Sequence, residues 1–332
     1  MDPAQGAPRR AFVTGGSGFV GRELIAMLVG KGYEVRALAR SPKAEAAVRA
    51  AGATPVSGDL DDEAALRQGM SGCGVVFHSA AMVALWGSRE QAMRDNVGGT
   101  EHVLAAARAA SVSRLVHIST EAVLADGHPI VEADETRPLP AKPVGIYPLT
   151  KGLAEQRVLA AHGGGLETMI VRPRFIWGRG DTSVLPQITL AARQGKLVWV
   201  DGGRYRTSTC HVKNVCQGAI LAAERGRGGE VYFLTDGEPV EFRRFITALL
   251  RSQGVEPGTR EVPGWVVRLA ASVSEGLWRL LPLPGQPPLN RTAANLFFGE
   301  VTVRADKAKQ ELGYEPEVSV AEGLAEMGAP GW

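Results

Sequence analysis

A tyrosine and a lysine stand four residues apart in Tyr147-Pro148-Leu149-Thr150-Lys151. On a helix that spacing puts both on one face. Pro148 suits the first turn of such a helix, where a missing N–H costs nothing. A phenol beside an alcohol or ketone oxygen can exchange the proton that accompanies a hydride transfer. A free phenol holds its proton up to a pKa of about 10. A neighbouring lysine cation favours the phenolate and is expected to pull that value down. A third group must orient the reacting oxygen, and Ser119 and Thr120, after an apolar run ending at Ile118, are the two candidate hydroxyls. Taken alone, a Tyr-x-x-x-Lys pair is also what an exposed helix turn looks like, so its weight depends on what else the chain brings to it.

The element that would bring a reactant is at the head of the chain. Ala11-Phe12-Val13-Thr14 reads as a strand, Gly15, Gly18 and Gly21 as a turn, and the segment from Arg22 onward as a helix. Strand, glycine turn and helix form a dinucleotide cradle. Gly15 allows the sharp turn, Gly18 lets the backbone approach a diphosphate, and Gly21 lets helix and strand pack closely. Ser17, Phe19 and Val20 line the same turn, and the helix N-terminus adds N–H donors. The second strand ends Ala39-Arg40-Ser41, with no carboxylate where one would bind the adenosine ribose. An arginine there attracts a 2′-phosphate, so NADPH is expected over NADH, with Arg40 as the main partner and Ser41 or Lys43 as helpers. NAD stays open. Asp59 and Leu60, after the third strand, suit the adenine amine and ring, although Asp59 or Asp61 could instead cap the next helix. Ser79, Ala80 and Ala81 are small enough for a cofactor to lie against the chain. His78, closing an apolar strand, reads as structural.

Between these landmarks strands and helices alternate. Strands are expected at 33–39, 54–57, 74–78, 114–118 and 166–172, and helices at 43–51, 62–69, 88–110 and 147–161. That alternation predicts an α/β fold, a Rossmann-type doubly wound parallel sheet with right-handed crossovers. A smaller C-terminal substrate-binding region follows. The expected division gives residues 1–174 and a return segment 207–228 to the dinucleotide-binding domain. Residues 175–206 and 229–332 go to the substrate region. Residues 121–146 read as a long polar loop that delivers Tyr147.

The ordered set of motifs resembles the extended short-chain dehydrogenase/reductase family. The branch it resembles holds the 3β-hydroxysteroid dehydrogenase-like enzymes, among NAD-dependent epimerases and dehydratases, dihydroflavonol reductases and 2-alkyl-3-oxoalkanoate reductases. The resemblance rests on Thr14–Gly21, Gly58-Asp59-Leu60, Phe77–Ala81, Asn96-Val97-Gly98-Gly99-Thr100, Tyr147–Lys151, Arg172–Gly178, His211–Val215 and Lys307–Pro316. It implies that Tyr147 is the acid/base, that Lys151 binds the nicotinamide ribose and tunes Tyr147, and that Pro173 lies beside the nicotinamide. It favours Thr120, three residues before Val123, as the catalytic hydroxyl, with Ser119 second. Lacking an acid at Ala39, the chain looks more like the NADPH-dependent reductases than the NAD-dependent steroid enzymes. The resemblance also implies a homodimer face on the helices carrying Asn96 and Tyr147.

The activity expected is interconversion of a secondary alcohol and a ketone on a bulky apolar substrate, sterol-like or a 2-alkyl-3-oxo acid. A nucleotide-sugar epimerase or dehydratase, or a non-catalytic NAD(P)-sensing regulator, are the other classes weighed. Arg204 and Arg206 could grip a carboxylate, or could be solvated loop residues. Residues 264–281 read as an amphipathic helix, with Arg268, Ser272, Glu275 and Arg279 as a polar stripe and Trp265, Val266, Leu269, Val273, Leu277, Trp278 and Leu280 as the apolar face. It would roof an apolar pocket, touch a membrane surface, or sit in the core. Pro282, Pro284, Pro287 and Pro288 break the chain after it.

Bulk properties bound the rest. The chain has 332 residues, 45% hydrophobic and 22% charged, with a formal net charge of +2. Such a balance gives no footprint for nucleic acid. Cys73, Cys210 and Cys216 have neither a disulfide framework nor a metal-type spacing, which suits reduced thiols in the cytoplasm. Residues 1–10 lack the apolar core of a signal peptide and read as a loose tail. No run of 18 apolar residues is present, so membrane contact, if made, is expected to be peripheral.

Overall fold

The computed structural model describes residues 9–83, 86–281, 285, 287 and 289–328. The tail 1–8, the chain-breaking Pro282, Pro284 and Pro288, and the side chain of Arg279 lie outside the described residues.

Seven short apolar segments form one parallel sheet: β1 (Arg10–Thr14), β2 (Glu34–Ala39), β3 (Thr54–Ser57), β4 (Val75–His78), β5 (Arg114–Ile118), β6 (Glu167–Pro173) and β7 (Val231–Leu234). Their order across the sheet is β7-β6-β5-β4-β1-β2-β3. Helices cover both faces, which is why Ala11–Val13 in β1 and Val75–Phe77 in β4 read as unbroken apolar runs. Ala11, Phe12, Val13, Leu115 and Val116 are all fully buried. One face packs Val13, Phe77, Val116 and Val171 under the first helix (Phe19–Gly30) and the return helix (Val212–Arg225). The other packs Phe12, Val76, Leu115 and Ile170 under the helices of residues 63–70 and 99–109. The chain leaves β1 toward β2 on one side and comes back at β4 on the other. The ends of β1 and β4, where Thr14 pairs with His78, therefore form the switch point at which such sheets bind ligands.

Three expectations change. Residues 231–234, assigned to the substrate region, are β7, because Val-Tyr-Phe-Leu pairs in register with Ile170–Pro173 and buries Tyr232, Phe233 and Leu234. Residues 121–146 are not all loop. Glu121–Leu124 makes a 3-10 turn, and Ile130–Ala133 is a strand paired with Val301–Val303 in a second sheet of four strands. Its partner is about half the chain away, beyond the reach of local pattern. The helix expected at 88–110 contains a π-helical stretch, Met93–Gly98, between Arg89–Ala92 and Gly99–Ala109.

The part of the chain outside the seven-stranded sheet has its own core around Phe175, Trp177, Trp199, Phe242 and Phe245. It is tied to the sheet by Asp236, just past β7. That carboxylate accepts from Trp177 Nε1 (2.6 Å), Thr209 Oγ1 (2.8 Å), the His211 amide (2.5 Å) and Asn214 Nδ2 (2.7 Å).

Candidate active site

The glycine turn has the geometry of a diphosphate cradle. Gly15 sits at φ +72°, and a Cβ there would come within 2.7 Å of the Ala80 amide nitrogen. Glycine is thus required both by the backbone conformation and by the approach of the chain leaving β4. The Gly18 amide donates to the Gly15 carbonyl at 2.9 Å. Gly18 is also the cap of the first helix, and no side chain satisfies its leading N–H groups. A Cβ at Gly21 would strike the Gly15 carbonyl oxygen, so the helix packs directly on the turn. Ser17 and Gly18 are exposed on the cradle, and Phe19 and Val20 are half-buried behind it. These features fit a dinucleotide.

The residues expected to meet adenosine lie at the ends of β2 and β3, where Ala39 pairs with Ser57 and Gly58 donates to the Ala39 carbonyl at 3.2 Å. Arg40 is exposed there and has no ion-pair partner among the described residues. Lys43 is exposed nearby, while the Ser41 hydroxyl caps the next helix by accepting from Ala44. Asp59 is exposed and accepts from its own loop, from the Asp61 amide at 3.0 Å. The helix cap is neither Asp59 nor Asp61 but Asp62, which accepts from Ala65 at 2.9 Å. Leu60 leans on Gly99, where a Cβ would lie 2.6 Å from Leu60 Cδ1.

A buried polar chain runs from the cradle to the Tyr147 helix (Ile146–Ala160). The Ala80 amide donates to Thr14 Oγ1 at 3.3 Å, while Ser79 and Ala81 flank it at the switch point. Thr14 Oγ1 lies 2.7 Å from His78 Nδ1, and His78 Nε2 lies 2.9 Å from Thr100 Oγ1. Thr100 gives its only proton to the Asn96 carbonyl at 2.6 Å, so it accepts from His78 Nε2. Asn96 in turn donates to Thr150 Oγ1 at 2.9 Å. Burial, helped by the Lys151 charge, pushes the His78 pKa down to about 3. His78 is therefore a neutral strut, as the sequence suggests.

Tyr147 occupies the first turn of its helix, half-buried against Ala122, Ala125, Leu296 and Phe297. Thr120, at the end of β5, hydrogen-bonds to it. Thr120 Oγ1 also accepts from the Ala122 amide (3.2 Å) and donates to Glu121 Oε2 (2.9 Å). Ser119 is buried with no partner for its hydroxyl among the described residues. Of the two candidate hydroxyls, Thr120 is the one against Tyr147.

The expected lowering of the Tyr147 pKa is overturned. Burial drives it well above the usual phenol value, the Glu121 charge raises it further, and only the Thr120 hydrogen bond opposes them. Lys151 shares the helix face but is turned beneath it, almost fully buried. Its Nζ donates to the Ile118 carbonyl at 2.9 Å and to His117 Nε2 at 3.0 Å. Burial lowers the Lys151 pKa to about 8, with Glu155 pulling the other way. His117, neutral because burial and then Lys151 push its pKa well below the usual range, can accept that proton donor.

Three contributors escaped sequence reasoning. His117 was visible only as a polar residue inside an apolar strand. Glu121 and Arg174 form a buried ion pair at 2.9 Å, and Arg174 Nη2 also donates to the Leu296 carbonyl at 2.8 Å. They directly follow Thr120 and Pro173, the only local hint. Pro173 itself is buried at the end of β6, paired with Leu234. Arg204 and Arg206 converge on no site. Arg204 is exposed, and Arg206 is an exposed side chain 3.8 Å from Glu238 and 4.0 Å from Glu132.

Comparison with known proteins places these features in a family. Residues 12–263 match the family model described as the 3-beta hydroxysteroid dehydrogenase/isomerase family. A relative from Stigmatella aurantiaca, 4-hydroxy-2-methyl-3-oxo-4-farnesyl-3,4-dihydroquinoline-1-oxide ketoreductase, is 53% identical over 95% of this chain and 94% of its own length. A 2-alkyl-3-oxoalkanoate reductase from Stenotrophomonas maltophilia is 36% identical over 96% of this chain and 98% of its own. Among solved structures, dTDP-glucose 4,6-dehydratase from Streptomyces venezuelae, with NAD and TYD bound, superposes with a TM-score of 0.75 at 25% identity, covering 96% of this chain and 95% of that one.

Proposed function

The chain belongs to the 3-beta hydroxysteroid dehydrogenase/isomerase family, and from that premise we propose that it reduces the ketone of a bulky apolar substrate with NADPH. It is an oxidoreductase of CH–OH groups, as its relatives are. The observation that carries the reading is the Thr120–Tyr147 pair at the end of β5, on the same sheet rim as the Gly15 turn.

When bound, the nicotinamide supplies the hydride. The chain's own residues supply position and the proton. Gly15, Ser17 and Gly18 hold the diphosphate against the first helix. Ser79, Ala80 and Ala81 leave room along the switch point, and Pro173 closes the far side. Tyr147 keeps its proton at neutral pH and hands it to the substrate oxygen as charge develops there. Thr120 stands beside the Tyr147 hydroxyl and, by turning its one proton from Glu121 to the substrate, orients the same oxygen. An ammonium has three N–H donors, and Lys151 spends two on Ile118 and His117, leaving one for a ribose hydroxyl. A phenol held protonated is an acid, and this supports reduction as the working direction.

Arg40 supports the choice of NADPH. It is a cation without an ion-pair partner among the described residues, beside the Gly58-Asp59-Leu60 edge where the adenosine would lie. Arg40→Glu is expected to lower the ratio of kcat/KM for NADPH over NADH at least tenfold; an unchanged ratio contradicts the assignment. The similarity to a ketoreductase whose name specifies a farnesylated ring system supports a ketone carrying a long apolar group. The test is NADPH consumption with prenylated quinoline ketones, 2-alkyl-3-oxo acids, 3-ketosteroids and sugar nucleotides. Turnover confined to sugar nucleotides would contradict the proposal.

A further inference from the structure

The helix Gly264–Leu280 turns its apolar side to solvent. Trp265, Leu269, Val273, Leu277, Leu280 and Leu281 are 45–83% exposed. The spacing of four, four, four and three from Trp265 to Leu280 keeps those five on one side of the helix, and Leu281 follows at its C-cap. Six of the ten large apolar side chains that are exposed among the described residues fall in this one stripe. The opposite side, Val267, Ala271 and Glu275, is buried, so Glu275 parts from Arg268 and Ser272, with which it was expected to form a polar stripe. Glu275 Oε2 instead accepts from the Arg291 amide at 3.0 Å.

The acids nearest the helix are engaged: the Asp201 carboxylate accepts from the Gly264 amide at 2.8 Å, and Glu261 pairs with Arg243. Glu275, the only acid on the helix, is turned inward. Arg268 on the helix, Arg260 before it and Arg291 packed against it are exposed, and none is in an ion pair among the described residues. An apolar stripe edged by unpaired cations complements an anionic bilayer, with acyl chains under the stripe and headgroups against the arginines. A second copy of the chain fits less well. A 17-residue helix presents a strip about 26 Å long and ~10 Å wide, well short of the ~800 Å² per partner of a standard interface.

We propose that the outer face of Gly264–Leu280 seats the protein on the surface of an anionic lipid bilayer. No helix among the described residues is long and apolar enough to cross one, so the contact is peripheral. The helix rests on Arg291–Phe297, whose Leu296 and Phe297 pack against Tyr147 and whose Thr292 abuts Gly145. One helix therefore separates the docking face from the acid/base. The binding is independent of the reaction; only its consequence, that an apolar ketone reaches the site from the bilayer, rests on the reading above.

The test is co-sedimentation of the full chain with vesicles of phosphatidylglycerol and phosphatidylcholine, for wild type and the double variant Leu269→Glu/Val273→Glu. Both sites are exposed, so the variant should keep the wild-type thermal unfolding midpoint and its rate on a water-soluble ketone. Wild type is expected to pellet with the vesicles and to release as salt rises, and the variant to bind at least tenfold more weakly. Wild type remaining in the supernatant, or a variant that pellets equally, would overturn the proposal. So would wild type that ignores vesicles but dimerises in sedimentation velocity while the variant is monomeric, since a second copy would then cover the stripe. Failure of the ketone panel with vesicle binding intact would sink the reaction and leave the surface standing.

Discussion

Tyr147 holds its proton because its apolar surround and the Glu121 carboxylate together outweigh the opposing pull of the Thr120 hydroxyl. Lys151 acts on the same site at a distance, and its pKa of about 8 gives the activity a pH signature. Below pH 8 it is a cation with a donor to spare; above, that charge goes. The rate is therefore expected to fall through about pH 8, and Lys151→Arg, which does not titrate in this range, should remove that limb from the kcat/KM profile. The stability sign follows separately. The folded pKa lies below the unfolded 10.5, so the folded state binds fewer protons between them and stability rises with pH across that window. His78 and His117 are already neutral, so neither contributes an acidic limb near pH 6.5. Glu121→Gln leaves Arg174 buried without its counter-charge, a loss on the order of 3–5 kcal/mol that a denaturant titration would register. The spacing of Tyr147 and Lys151 and the place of Thr120 were legible in the sequence. The pKa directions were not, because they depend on burial and, for Tyr147, on the Glu121 charge that only the folded chain brings beside it.

The glycine turn was the most legible element, since each glycine answers a local steric demand. Gly21→Ala pushes a methyl into the Gly15 carbonyl, and should weaken cofactor binding at least tenfold in a fluorescence titration while leaving Tyr147 in place. The strand Ile130–Ala133 and the π-helical stretch Met93–Gly98 were illegible for a shared reason. Each is specified by a distant partner: Val301–Val303 for the strand, and for the stretch Asn96, which clasps Met82 through 2.7 and 3.1 Å hydrogen bonds while bonding Thr150. The helix Gly264–Leu280 was read as amphipathic, with its facing left open between pocket, membrane and core, because periodicity defines two sides without saying which one meets the protein.

At the scale of the molecule, the parallel sheet followed from alternation, but its last strand did not, because the chain leaves the sheet after β6 and comes back through the return helix. Asp236, beside β7, joins the two regions. His211–Val215, a segment that carries the family resemblance, contributes two of the donors that hold this carboxylate, and so serves assembly rather than catalysis. Asp236→Ala strands four donors, each costing about 1–3 kcal/mol if left unsatisfied. It should lower the thermal midpoint, and raise KM for the ketone more than the dissociation constant for NADPH. The central claim is that Tyr147, placed by Thr120, protonates a ketone reduced at the Gly15 cradle. Its most direct test is NADPH consumption by wild type and Tyr147→Phe with the best ketone of the panel, beside NADPH binding by both proteins. The predicted result is a kcat lower by about 10²–10⁴-fold with NADPH affinity unchanged; turnover by Tyr147→Phe equal to wild type would contradict it.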